Sequence, residues 1–170
     1  MKKYTNYKKT NIDWIGEIPL DWKCKKLKYI FTEKKAVKNS KLNCGSISFG
    51  EIIYKNNDKV CKETKDSYQE VLKGEFLINP LNLNYDLKSL RIGRSSMDVV
   101  VSPGYLVLKI NKEFHPDYYK YLLRKFDIEK MKSLGHGVRQ TISFRHIKEE
   151  KLVYPSLQEQ KYISKYLDKN

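Results

Sequence analysis

Gly135-His-Gly-Val-Arg-Gln-Thr-Ile-Ser-Phe144, running on to Tyr154-Pro-Ser-Leu-Gln-Glu-Gln160, decides how this chain is organised. Glycines on both sides of His136 allow backbone conformations open to the close approach of a ligand. Between Gly137 and Ile142 the loop presents Arg139, Gln140 and Thr141. A short strand then stops at Pro155. Ser156 and Glu159 have the spacing of a capping box and predict the start of a charged helix. Its apolar stripe, Ile163, Tyr166 and Leu167, is brief, so it should pack on its own domain or on another helix.

Upstream of that stretch the chain reads as strands followed by one clear helix. Ile47, Phe49, Ile52 and Tyr54 alternate around Gly50 and predict a bent or bulged strand pair. Glu75–Ile78, Val99–Val101 and Tyr105–Ile110 are further short strands. A helix should begin at His115-Pro116, where proline suits the first turn, with Tyr118, Tyr121, Leu122 and Phe126 on its core face. Leu27, Ile30 and Phe31 predict a short amphipathic helix over 25–32. Asp13-Trp-Ile-Gly-Glu-Ile-Pro-Leu-Asp-Trp22 is a turn segment whose two tryptophans should anchor it to the core.

The composition narrows the classes. At 170 residues the chain suits one domain with a real core. No apolar run approaches a membrane span and no signal-peptide pattern opens it, which predicts a cytoplasmic protein with no membrane partner. Cys24, Cys44 and Cys61 lack metal-ligand spacing with one another or with His115, His136 and His146, so they read as reduced structural thiols with no metal site. Thirty-four Lys and Arg against 20 Asp and Glu give a net charge of +14, which favours a polyanionic partner through counterion release. A lysine-rich proteome would produce the same balance. The 13 tyrosines fall mostly on core and rim positions, not on an exposed stacking platform.

A second polar segment, Asn79-Pro-Leu-Asn-Leu-Asn-Tyr-Asp-Leu-Lys-Ser-Leu-Arg91, follows a buried strand. Asn82 and Asn84 have the paired donor and acceptor that match an adenine edge, while Arg91 and Arg94 match guanine. Lys88 and Ser89 suit phosphates. In the first-quoted loop Arg139 and Gln140 reach base edges, and His136 and Thr141 suit phosphates. Plain alternatives stand beside both readings. Asparagine is favoured in turns for its own backbone bonding, and Gly135 has the look of a helix C-cap before an ordinary connection.

Two enzymatic patterns compete with these readings. Asn79-Pro80-Leu81-Asn82 lacks the second proline and aromatic of an adenine methyltransferase loop, and no glycine-rich cofactor loop accompanies it. Pro116-Asp117 with Glu149-Glu-Lys151 formally fits a metal-dependent nuclease, but Glu-x-Lys also occurs at Glu33 and Glu63. Asp117 also suits a helix N-terminus on electrostatic grounds alone.

Six segments in order, Trp14–Trp22, Gly45–Gly50, Asn79–Asn84, Val101–Tyr105, Gly135–Phe144 and Pro155–Gln160, resemble a target recognition domain of the DNA-specificity subunit of type I restriction-modification systems. The resemblance implies an α+β fold: a twisted, mostly antiparallel sheet with peripheral helices over 1–155, then the start of a spacer helix over 156–170. It implies a non-catalytic, sequence-specific reader of half of a split double-stranded DNA target. Its partners would be a modification subunit, which carries S-adenosylmethionine and methylates adenine, and a restriction subunit. No cofactor is expected in this chain.

The length departs from a full specificity subunit, which has two recognition domains and two spacers. A fragment, a truncated product or a half-subunit pairing through the 156–170 helix would each fit, and the shortness of that helix favours a fragment. A protein-binding decoy for the modification subunit and a small metal-dependent nuclease are the rival readings.

Overall fold

The computed structural model describes residues 4–56, 60–81, 90–131, 134 and 142–169. Its centre is a four-stranded antiparallel sheet in the order β4 (Phe31–Glu33), β11 (Leu106–Ile110), β8 (Phe76–Ile78) and β9 (Ile92–Arg94). Side chains alternate across a strand, and here both faces are covered. Phe76, Ile78 and Leu108 point into the main core with Leu27, Ile30, Phe31 and Ile92. Leu77 and Val107, one residue out of phase, point into a second core with Ile52, Val71, Val99 and Val101. Burial on both faces explains why the two central strands, β8 and β11, read as largely apolar runs instead of alternating ones.

Four two-stranded antiparallel ribbons surround this sheet: β1 (Tyr7–Lys9) with β2 (Glu17–Pro19), β3 (Lys23–Lys26) with β12 (Lys151–Tyr154), β5 (Gly45–Ser48) with β6 (Glu51–Tyr54), and β7 (Gln69–Val71) with β10 (Val99–Val101). The fold is thus the expected α+β type with antiparallel sheet, although its pairing is divided among several small sheets. Helices α1 (Leu27–Ile30), α2 (Lys62–Ser67) and α4 (Phe144–Ile147) are short, whereas α3 (Pro116–Glu129) and α5 (Leu157–Leu167) are full amphipathic helices.

Several expectations are corrected here. The helix foreseen over 25–32 is a single turn, α1, between two strands. Lys23–Lys26 pair with β12 and Phe31 pairs with Ile110, so strand partners claim both ends of the segment. The first amides of α1 donate to the carbonyls of Glu150 and Lys148 at 2.8 and 3.0 Å, which satisfies groups that a longer helix would have left to a cap.

On α3 the core face is rotated by about one residue. Tyr119 and Leu123 are fully buried beside Tyr118 and Phe126, while Tyr121 and Leu122 lie at the boundary. Helix α3 ends at Glu129 with Lys130 as its cap, so the cap lies well before Gly135. The thiols are free, but only Cys44 is buried; Cys24 and Cys61 are exposed. Tyr7, Tyr29, Tyr54, Tyr162 and Tyr166 are exposed as well, more than the core-and-rim expectation allowed.

The two tryptophans are anchors. Trp14 packs edge-on against Phe126 of α3 with ring centroids 5.6 Å apart. Trp22 meets Tyr4 edge-on at 5.8 Å, and both reach Glu159, Tyr4 through a 2.6 Å hydrogen bond. Glu159 also completes the capping box of α5 with Ser156. Burial pushes its carboxyl upward, but the hydrogen bonds from Tyr4, Ser156 and Trp22 outweigh that and hold it below the usual range.

Helix α5 is seated on the domain. Buried Gln160 accepts from the His115 amide at 2.9 Å and donates to the Pro155 carbonyl at 2.9 Å, fastening α5 to the start of α3. Tyr121 donates to Asp168 at 2.6 Å near the other end.

Candidate nucleic-acid interface

Both polar segments singled out in the sequence are held at their ends by main-chain hydrogen bonds. The Asn79 amide donates to the Arg91 carbonyl at 2.9 Å and extends the β8–β9 pairing to the base of the 82–89 segment. The Ile142 amide donates to the Pro80 carbonyl at 3.1 Å. Residue 142 directly follows the 135–141 segment and residue 80 nearly adjoins the 82–89 segment. The two segments therefore spring from one shared anchor. Ile142 is buried in the main core and Leu134, on the other side of the second segment, packs against it.

A buried carboxylate supports the same place. Asp127, on the inner face of α3, accepts from the Arg91 amide at 2.5 Å and from the Ile92 amide at 3.3 Å. Both main-chain donors converge on one carboxyl oxygen, so two buried amides are satisfied by a single side chain. Asp127 fixes where the chain re-enters the sheet after the 82–89 segment. Sequence reasoning misses this, because an acidic residue in a charged helix reads as a solvated one.

Of the ten candidate contacts, Arg91 and Arg94 lie among the described residues. Asn82, Asn84, Lys88, Ser89, His136, Arg139, Gln140 and Thr141 lie outside them. Arg91 is only 5% exposed, so the expectation that it meets a base edge is corrected. Its main chain is taken up by Asn79 and Asp127, and it supports the base of the segment from inside.

Arg94 is partly exposed. Its guanidinium pairs with Asp117 in the first turn of α3, and its Nε donates to the Gly74 carbonyl at 3.3 Å. It lines a shallow cleft together with Phe49, Glu51, Lys120 and Arg124. Lys120 and Arg124 lie one turn apart on the outer face of α3, and neither has an ion-pair partner among the described residues.

The acidic residues of the nuclease-like pattern are engaged separately. Asp117 pairs with Arg94, whereas Glu149 lies 2.9 Å from Lys26 and 2.7 Å from Lys28. Hydrogen bonds from those lysines hold the Glu149 carboxyl down at about 2. No group of three metal-ligating side chains gathers among the described residues. His146 instead serves the capping box of α4, accepting from the Ser143 amide at 3.0 Å. No helix among the described residues is long and apolar enough to cross a membrane.

The described residues form a mixed α/β domain in which the flanks of both polar segments meet at one main-chain anchor. The chain belongs to the type I restriction modification DNA specificity domain family, whose model matches residues 19–169. It is 29% identical over 185 residues to the putative type I restriction enzyme MjaX specificity subunit of Methanocaldococcus jannaschii, an alignment covering 97% of this chain and 42% of that protein.

Among solved structures, a chain from a study of complex assembly and conformational transition of the type I R-M system superposes with a TM-score of 0.60 at 16% identity, covering 89% of this chain and 38% of that one. The HsdS subunit from Thermoanaerobacter tengcongensis superposes with a TM-score of 0.59 at 16% identity, covering 89% and 37%. These superpositions establish the fold. The chain spans about two fifths of the length of the proteins it matches.

Proposed function

We propose that this chain reads one half of a split double-stranded DNA target for a type I restriction-modification system and is itself non-catalytic. The observation that carries the reading is the Ile142–Pro80 hydrogen bond, which roots both polar segments at one place in a domain of the specificity family. Direct readout needs several side chains presented together to one stretch of groove, and a shared root supports such a reading. Arg139, Gln140, Asn82 and Asn84 are assigned to base edges. Lys88, Ser89, Thr141 and His136 are assigned to phosphates, with Arg94 at the margin.

The adenine methylation would be performed by a modification subunit carrying S-adenosylmethionine, which this chain would direct, and a restriction subunit would complete the cutting complex. All of this would take place in the cytoplasm. Co-expression with a modification subunit from a closely similar system, followed by genome-wide mapping of methylated adenine, tests the reading. A new methylated motif with a fixed half-site is the expected result. Stable co-purification of the two proteins without new methylation, and without sequence-dependent DNA binding in titration, would overturn it.

A further inference from the structure

The tip of the β5–β6 hairpin is the feature that the domain's own folding does not explain. Its two turn residues, Phe49 and Gly50, both have positive φ, 48° and 80°. Such a two-residue turn prefers asparagine, aspartate or glycine, since a bulky side chain is sterically disfavoured in the left-handed region. Phe49 is nonetheless 71% exposed. The ring gains nothing from burial that would offset its conformation, and strain held in place at an exposed position points to a use outside the chain.

The hairpin is held firmly in place. The Gly50 amide donates to the Leu90 carbonyl at 3.2 Å, directly after the 82–89 segment. Gly93 of β9 lies so close beneath the turn that a Cβ there would stand 2.4 Å from the Gly50 carbonyl oxygen. The tip is therefore rigidly tied to the strand that leaves the candidate interface, and Arg94, Lys120 and Arg124 share its cleft.

We infer that Phe49 is a DNA contact, an apolar wedge pressed against the duplex at a base step, with Lys120 and Arg124 on the flanking phosphates. Aromatic and aliphatic wedges of this kind combine with nearby cations wherever proteins open or bend a base step. Double-stranded DNA is the occupant because Arg94, Lys120 and Arg124 make the cleft cationic and because the cleft reaches, through Gly50 and Leu90, the residue that directly follows the 82–89 segment. The inference rests on the DNA-reading function proposed above and adds a third contact element to it, one without a hydrogen-bonding side chain.

The test uses the full chain and a duplex selected by the wild-type protein from a random-sequence pool. Phe49→Asn removes the ring while suiting the turn, so its thermal midpoint should equal or exceed that of the wild type. Its affinity for the selected duplex should fall about tenfold or more, the scale of a lost base–aromatic contact. Phe49→Tyr should restore binding to within about threefold. The double variant Lys120→Ala/Arg124→Ala should lower the slope of log Kd against log salt by nearly two, as expected for two lost phosphate contacts.

Phe49→Asn binding within twofold of wild type, or an unchanged salt slope in the double variant, would overturn the wedge while leaving the DNA-reading function standing. Failure of the wild-type chain to select any duplex would bring down both.

Discussion

The amide of Ile142 and the carbonyl of Pro80 are joined at 3.1 Å, so the end of one polar segment is fastened to the start of the other. Elements with a common root do not respond independently to mutation. Arg139→Ala is expected to weaken binding to the selected duplex by about 1–3 kcal/mol and binding to unrelated duplex far less. Equal losses on both would make Arg139 a phosphate contact. A double-mutant cycle between Arg139→Ala and Asn82→Ala should show a coupling of about 0.5 kcal/mol or more. Strict additivity would mean that the two segments act separately.

Asp127 should matter beyond its own contacts. Its carboxylate accepts from two main-chain amides in a fully buried place. Asp127→Ala would leave those donors without their acceptor, and urea denaturation should report a loss of about 2–4 kcal/mol. Asp127→Asn keeps one carbonyl acceptor and should lose less. A loss below about 0.5 kcal/mol in the alanine variant would mean that water replaces the carboxylate.

The β7–β8 region contains a buried ion cluster. Lys34, with its side chain only 6% exposed, lies 3.1 Å from Glu70 and 2.9 Å from Glu75, while the more exposed Lys109 is 3.8 Å from Glu75. Glu70 is held below the usual carboxylate range, first by the Asn39 amide and, against the opposing push of burial, by Lys34. A carboxylate with a depressed folded-state pKa contributes stability above its unfolded value, near 4.3, and that contribution is lost as pH falls through the lower folded value.

Lys34→Met should therefore cost about 3 kcal/mol at pH 7. With Lys34 gone, Glu70 keeps its bond from Asn39 but loses the contribution of the lysine, so its carboxyl is held down less and the variant should lose less further stability than the wild type as pH falls below about 4.3. Identical acid-side losses in the two proteins would refute this.

Gly93→Ala probes the hairpin from beneath. The added methyl group would meet the Gly50 carbonyl oxygen at 2.4 Å and Ile52 at 2.8 Å. Backbone cannot yield as a side-chain tip does, so a destabilisation of about 1–3 kcal/mol is expected, together with shifted amide resonances at Phe49 and Gly50. An unperturbed hairpin spectrum would show that the turn is not held from below.

Much of this architecture was legible in the residues. Pro116 marked the start of α3, and Ser156 with Glu159 marked the start of α5, because each signal is local chemistry, whereas the bend or bulge expected at Gly50 is a two-residue turn between regularly paired strands. What could not be read depended on distant partners. Leu27 and Ile30 do form a helical turn, but β12 and β11 claim the residues on either side. Tyr119 falls outside the core face expected of α3, and only the fold brings Phe31 and Phe114 against it at ring distances of 5.8 and 5.7 Å. Arg91 has the chemistry of a guanine contact, and only the fold shows that it is enclosed. Phe49 read as one of an alternating apolar set, since strand periodicity does not reveal that a residue sits at a turn with positive φ.

The anchor beneath the two polar segments is built from main-chain atoms: an amide of Ile142, a carbonyl of Pro80, an amide of Asn79 and a carbonyl of Arg91. Such bonds are indifferent to which side chains the segments between them carry. Substitutions within 82–89 and 135–141 can therefore accumulate without removing the anchor's own hydrogen bonds, and a DNA-reading role would leave base preference free to change while the fold is inherited intact.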